Sequence, residues 1–152
     1  MTKLAIKLKV NGKEYQVETK PNITLLYLLR DELGLFGSKD GCQEGECGTC
    51  TVLLDGQPVN SCLTLAVQCD DREVVTIEGI GSNGKLHPVQ QAFIDDGAVQ
   101  CRYCIPGFLM SGVKLLEEWS NPTQIAPRLC ASSWLPVCDC LRVSMAPPPV
   151  CP

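Results

Sequence analysis

The chain has 152 residues, with 13 lysines and arginines against 17 aspartates and glutamates, one histidine and 11 cysteines. A net charge of −4 and a pI near 4.9 argue against a nucleic-acid binder, which would carry a basic face. No apolar run reaches the ~18 residues of a membrane span, and the segment from Met1 to Val10 has no signal-peptide character. The expectation is a cytoplasmic chain whose thiols hold metal, and a disulfide-stabilised secreted protein is disfavoured. The single histidine narrows the metal, because Cys2His2 zinc and a Rieske centre each need two.

In chain order, Leu4, Ile6, Leu8 and Val10 alternate with polar residues, which predicts a strand with one buried face. Asn11-Gly12 follows as a tight hairpin turn, and Tyr15 and Val17 continue the alternation on a returning strand. After Pro21, Thr24 to Leu33 is rich in helix formers and stops at Gly34. Thr51 to Leu54 and Glu73 to Ile77 read as strands, with Asp55-Gly56 as another turn. Together these make a compact α+β unit. The glycine-rich stretch from Gly79 to Gly84 marks a junction, giving an expected division into residues 1–80 and 81–152. Beyond it, Pro88 opens a helix through Gln90, Phe93 and Ile94 that ends at Gly97. A second helix starts near Pro106 and runs to Trp119.

Two cysteine constellations carry the chemistry. Cys42, Cys47 and Cys50 form C-x4-C-x2-C, with Cys62 further on, which is the plant-type [2Fe–2S] spacing. Two irons bridged by two sulfides need four thiolates converging on a small volume. Gly41, Gly45 and Gly48 permit the inward fold of such a loop and let peptide N–H groups reach sulfur. Structural zinc is the competing reading. The second constellation is Gln100-Cys101-Arg102-Tyr103-Cys104, a C-x2-C at the mouth of a helix. Zinc, a redox dithiol and iron–sulfur all use that motif. The later C-x-C of Cys138 and Cys140 could complete four thiolates for either zinc or iron.

The order of GCQEGECGTCTVLLDGQPVNSC, LTLAVQ, IEGIGSNGKLHPVQQAFIDDGAVQC and CRYCIPGFLMSGVKLLEEWSNPT resembles the small iron–sulfur subunit of the molybdenum hydroxylases, the xanthine dehydrogenase, carbon monoxide dehydrogenase and aldehyde oxidoreductase group. The resemblance covers about Lys3 to Thr123. It implies a β-grasp, plant-type ferredoxin-like domain followed by a small all-α helical-bundle domain, each with a [2Fe–2S] cluster. It places Cys42, Cys47, Cys50 and Cys62 on the outer cluster and Cys101 and Cys104 on the inner one, with Gln100 hydrogen-bonding the pterin. Cys138 and Cys140 are assigned to the inner cluster by spacing. The implied partners are a large subunit carrying molybdenum on molybdopterin cytosine dinucleotide and a medium FAD-binding subunit, in a hetero-oligomer such as a dimer of heterotrimers. Electrons would run from the molybdopterin site through both clusters to FAD. The alternative is a free-standing ferredoxin-like carrier with one cluster and a zinc or docking module.

Three departures from the family pattern stand out. Arg102 replaces the usual Gly between the paired cysteines, and Ile105 replaces the usual Thr after them. The tail, residues 124–152, has lost the family's Thr-Gly-Tyr and is broken by prolines; Cys130 and Cys151 are rival ligands there. Either the tail has diverged and still closes the inner cluster, or a reading-frame error separates the written tail from the natural one. Of the remaining residues, His87 is expected to cap a helix or lie on the surface, and Cys69 to be a packed or surface thiol. Phe93 and Trp119 fall at core spacing, while Asp95-Asp96 and Glu117-Glu118 read as solvated helix ends. No residue set suits substrate chemistry, as expected of a subunit that conducts electrons while another chain reacts.

Overall fold

The computed structural model describes residues 3–81 and 84–118. Trp119, Cys130, Cys138, Cys140, Cys151 and the whole tail from residue 124 therefore lie outside the described residues.

Strand β1 (Leu4–Val10) pairs antiparallel with β2 (Lys13–Thr19), Leu8 opposite Tyr15 and Val10 opposite Lys13. Asn11 and Gly12 take φ of 51° and 80°, the two left-handed residues that a two-residue hairpin turn needs. Ile6, Leu8 and Val10 are buried as the alternation predicts, whereas Leu4 at the strand's first position is 45 % exposed. The periodicity fixes the face; the core begins only at Ile6.

Helix α1 (Leu25–Tyr27) is capped by Thr24, whose Oγ1 accepts from the Tyr27 N–H at 3.3 Å. It widens at once into a π-helical turn, Leu28–Glu32, closed by Leu33 N–H onto the Leu28 carbonyl at 3.0 Å. The segment buries Leu25, Leu26, Leu28 and Leu29. Strand β3 (Thr51–Leu54) turns at Asp55-Gly56 into β4 (Gln57–Asn60). Strand β5 (Glu73–Val75) then inserts between β1 and β3, parallel to the former and antiparallel to the latter, giving the order β2-β1-β5-β3-β4. The strand expected over Glu73 to Ile77 is thus shorter, because the Thr76 N–H is taken by the Asn11 side chain rather than by a neighbouring strand. Ile77–Gly79 forms a 3-10 turn. Ile6, Leu8, Val10, Leu25, Leu28, Leu29, Val52, Leu54, Ala66, Cys69 and Val74 make one core between the helical segment and the sheet. This is a β-grasp fold.

Helix α2 (Pro88–Asp95) has His87 as its cap: Nδ1 accepts from the Val89 N–H at 3.3 Å while the Gln90 side chain accepts from the His87 N–H at 2.9 Å. Helix α3 (Ile105–Glu118) buries Leu109, Met110 and Val113 and packs against β3 and β4. Phe93 and Phe108 join the two helices, ring centroids 5.8 Å apart. Asp95, Asp96, Glu117 and Glu118 are exposed, as expected of helix ends.

Candidate metal centre

The sheet delivers two of the first four cysteines by register alone. Thr51 pairs with Asn60, so the next residues outward, Cys50 and Ser61, also meet. The Cys50 carbonyl accepts from the Ser61 N–H at 3.4 Å and from its Oγ at 2.6 Å. Cys62 follows directly, and Leu26, Cys50 and Cys62 form a small buried cluster. The other two cysteines sit on the preceding loop, where Gln43, Gly45 and Gly48 adopt φ of 57°, 79° and 65°. Those left-handed turns curl the chain so that its N–H groups face sulfur. Cys42 Sγ accepts from the amides of Cys47 (3.3 Å) and Glu44 (3.4 Å), and Cys47 Sγ accepts from the Cys42 amide (3.4 Å). Thr49 Oγ1 lies 3.2 Å from Cys47 Sγ.

This arrangement favours a thiolate at Cys42 and disfavours one at Cys62. The Cys47 and Glu44 amides pull the Cys42 thiol down to about 7, mostly because they stabilise its anion. Cys62 is pushed up to about 12, first by burial and then by the adjacent Cys50. A bound metal would supply the positive charge that offsets the burial raising Cys62. The loop also has no spare room: a Cβ on Gly41 would stand 2.7 Å from both Cys47 Sγ and Thr49 Oγ1.

Several residues that the spacing argument does not single out hold this loop in place. Asn60 Nδ2 donates to the Gly45 carbonyl at 2.8 Å, and Thr51 Oγ1 to the Gly48 carbonyl at 2.8 Å. Thr49 Oγ1 donates to the Lys39 carbonyl at 3.2 Å. Arg30 Nη1 reaches the Ser38 carbonyl at 2.7 Å. The signal for them is polarity in the wrong place: Thr49, Thr51 and Ser61 flank the cysteines yet are almost fully buried. A second network starts at the first hairpin. Asn11 Oδ1 accepts from the Thr76 amide (2.8 Å), its Nδ2 donates to Thr76 Oγ1 (2.9 Å), and Thr76 Oγ1 donates to Glu78 (2.5 Å). The other oxygen of Glu78 accepts from the Gly37 amide at 2.7 Å, just ahead of the cysteine loop.

The second motif stands at the head of α3. Gln100, Cys101 and Arg102 are exposed and Cys104 is half-buried. Arg102 has φ of 67°, the left-handed region that favours glycine. The Cys104 carbonyl receives the first helical hydrogen bond of α3, from Phe108 at 3.1 Å. Tyr103 Oη donates to the Asp40 carbonyl, and a Cβ on Gly107 would fall 2.0 Å from the Gly48 carbonyl oxygen. Among the described residues no three His, Cys, Asp or Glu side chains are grouped as a lone metal ion would require. Cys69 is buried outside both motifs, its thiol donating to the Leu65 carbonyl and pushed up to about 11 by burial.

Residues 8–76 match the family described as the 2Fe-2S iron-sulfur cluster binding domain, and residues 76–140 match the [2Fe-2S] binding domain. The chain is 46 % identical over 123 residues to the nicotinate dehydrogenase small FeS subunit of Eubacterium barkeri, covering 81 % of this chain and 78 % of that one. It is 50 % identical over 115 residues to the aldehyde oxidoreductase iron-sulfur-binding subunit PaoA of Escherichia coli K12, covering 76 % of this chain but only half of the relative. Among solved structures, quinoline 2-oxidoreductase from Pseudomonas putida 86 superposes with a TM-score of 0.87 at 34 % identity, over 97 % of this chain and 93 % of that chain. The first two relatives are iron–sulfur subunits of oxidoreductases, which disfavours a free-standing carrier. The chain belongs to the molybdenum hydroxylase family of oxidoreductases, as its electron-transferring [2Fe–2S] subunit.

Proposed function

We propose that Cys42, Cys47, Cys50 and Cys62 ligate the outer cluster, and that Cys101 and Cys104 with Cys138 and Cys140 ligate the inner one. The observation that carries the first assignment is the loop whose amides converge on Cys42 and Cys47 while the β3–β4 register presents Cys50 beside Cys62. The second assignment is supported by the family match, which runs to residue 140 and so includes the C-x-C pair, with Cys130, but not Cys151. The same two matches, meeting at residue 76, support a division close to the expected one between residues 80 and 81.

A [2Fe–2S] group held at either site would supply one-electron transfer. The chain's own residues supply thiolates, amides that favour the added negative charge and raise the potential, and the burial of Cys50 and Cys62 that keeps water away. Gln100 is assigned to hydrogen-bond the pterin of a large subunit bearing molybdenum on molybdopterin cytosine dinucleotide. That subunit would hydroxylate its substrate with oxygen from water, and an FAD-binding medium subunit would receive the electrons. A dimer of such heterotrimers in the cytoplasm is the assembly this reading favours; no helix among the described residues is long and apolar enough to cross a membrane.

Iron and acid-labile sulfide analysis with EPR of the dithionite-reduced complex tests the assignment. Two distinct [2Fe–2S] signals are expected. Cys47→Ser should remove the outer one and stop flavin reduction while substrate still reduces the molybdenum site. Flavin reduction at the normal rate in that variant would refute the ligand set.

A further inference from the structure

Helix α3 starts directly on the loop that carries the outer ligands, with no side chain between them. Gly107 is buried in its first turn, and a Cβ there would lie 2.0 Å from the Gly48 oxygen, 3.0 Å from its carbonyl carbon and 3.1 Å from Thr49 Cα. All three are backbone atoms. The Gly48 carbonyl cannot swing aside, because it already accepts from the Thr51 amide (3.1 Å) and from Thr51 Oγ1 (2.8 Å). On the other side of the contact, the Cys104 carbonyl is fixed by the Phe108 amide, so Cys104 moves with the helix turn that holds Gly107. Tyr103 adds a second tie, its hydroxyl donating to the Asp40 carbonyl two residues before Cys42. Gly112, further along α3, is different: a Cβ there would meet only Val89 Cγ1, at an ordinary 3.6 Å.

We propose that Gly107 and Tyr103 form the spacer that fixes the separation of the two cluster-binding motifs. The inference rests on the two-cluster reading above.

The test compares Gly107→Ala, Tyr103→Phe and Gly112→Ala in the complex purified with its partner subunits. Three properties are read: the amount of each reduced [2Fe–2S] EPR signal, the magnetic splitting between the two reduced clusters, and amide hydrogen exchange over residues 40–50. Gly107→Ala should retain both signals but lose splitting, and should exchange faster over that loop. Inter-cluster transfer after flash reduction should slow in parallel. Gly112→Ala should match the wild type. If Gly107→Ala does not assemble, Tyr103→Phe carries the test, with a smaller loss of splitting and faster loop exchange expected. Unchanged splitting and exchange in whichever variant assembles would overturn the spacer alone. A wild-type complex with a single [2Fe–2S] signal would overturn the functional reading and the spacer with it.

Discussion

Asn11 offers the sharpest measurement of how the first hairpin is tied to the cysteine loop. Its side chain makes two hydrogen bonds to Thr76, at 2.8 and 2.9 Å, and Thr76 is fully buried. Replacing Asn11 by Gly keeps the left-handed turn but leaves the Thr76 amide with no acceptor, which costs about 1–3 kcal/mol. Loss of the bond to Thr76 Oγ1 adds about 1 kcal/mol, less than a stranded group would, because that hydroxyl still reaches Glu78. The expected destabilisation of Asn11→Gly is therefore about 2–4 kcal/mol. Asn11→Ala should lose roughly 1 kcal/mol more, since alanine must also adopt φ near 51°. Urea unfolding of the purified subunit, followed by far-UV circular dichroism, measures both values. A loss below about 0.5 kcal/mol for Asn11→Gly, the range of ordinary surface changes, would refute the anchoring role and leave Asn11 as turn chemistry only.

Gly41→Ala should leave the sheet folded and cost the outer cluster, because its methyl group meets Cys47 Sγ at 2.7 Å while the main core lies elsewhere; full iron occupancy with an unmoved outer EPR signal would contradict this. In the cluster-free chain at pH 8, iodoacetamide should modify Cys42 well before Cys69. The amides of Cys47 and Glu44 lower Cys42 to about 7, so its reactive thiolate predominates above that pH and is lost by protonation below it. Burial raises Cys69 to about 11, keeping it a thiol throughout that range. Peptide mass mapping of the alkylated cysteines across pH 6 to 9 checks the order, and equal labelling would refute it.

Much of this architecture is legible in local pattern. The alternation of Ile6, Leu8 and Val10, the Asn11-Gly12 and Asp55-Gly56 turns and the His87-Pro88 helix start are decided by residues close in sequence, and each appears where expected. The cysteine spacing proposes Cys42, Cys47, Cys50 and Cys62 as one ligand set, and the curled loop ahead of β3 carries the first two of them. What escapes is set by distant partners. The end of β5 depends on a side chain 65 residues earlier, so strand propensity through Ile77 misleads. The π-helical turn after Tyr27 is likewise invisible to helix propensity, which does not distinguish i+4 from i+5 closure. Asn60, Thr51 and Ser61 look like ordinary strand-end polar residues until the loop they hold is seen folded over them.

The position of β5 has a consequence for the order of folding. It joins β1 to β3 across a long stretch of chain, Lys9 meeting Glu73, so the complete sheet closes a large loop and must wait for that entropy to be overcome. The β3–β4 hairpin closes a loop of only two residues, and it alone brings Cys50 to Cys62. Half of the proposed outer ligand set is therefore brought together by one of the two hairpins with two-residue turns, ahead of the sheet that later buries it. A nascent chain would offer two of its proposed iron ligands before it has a core.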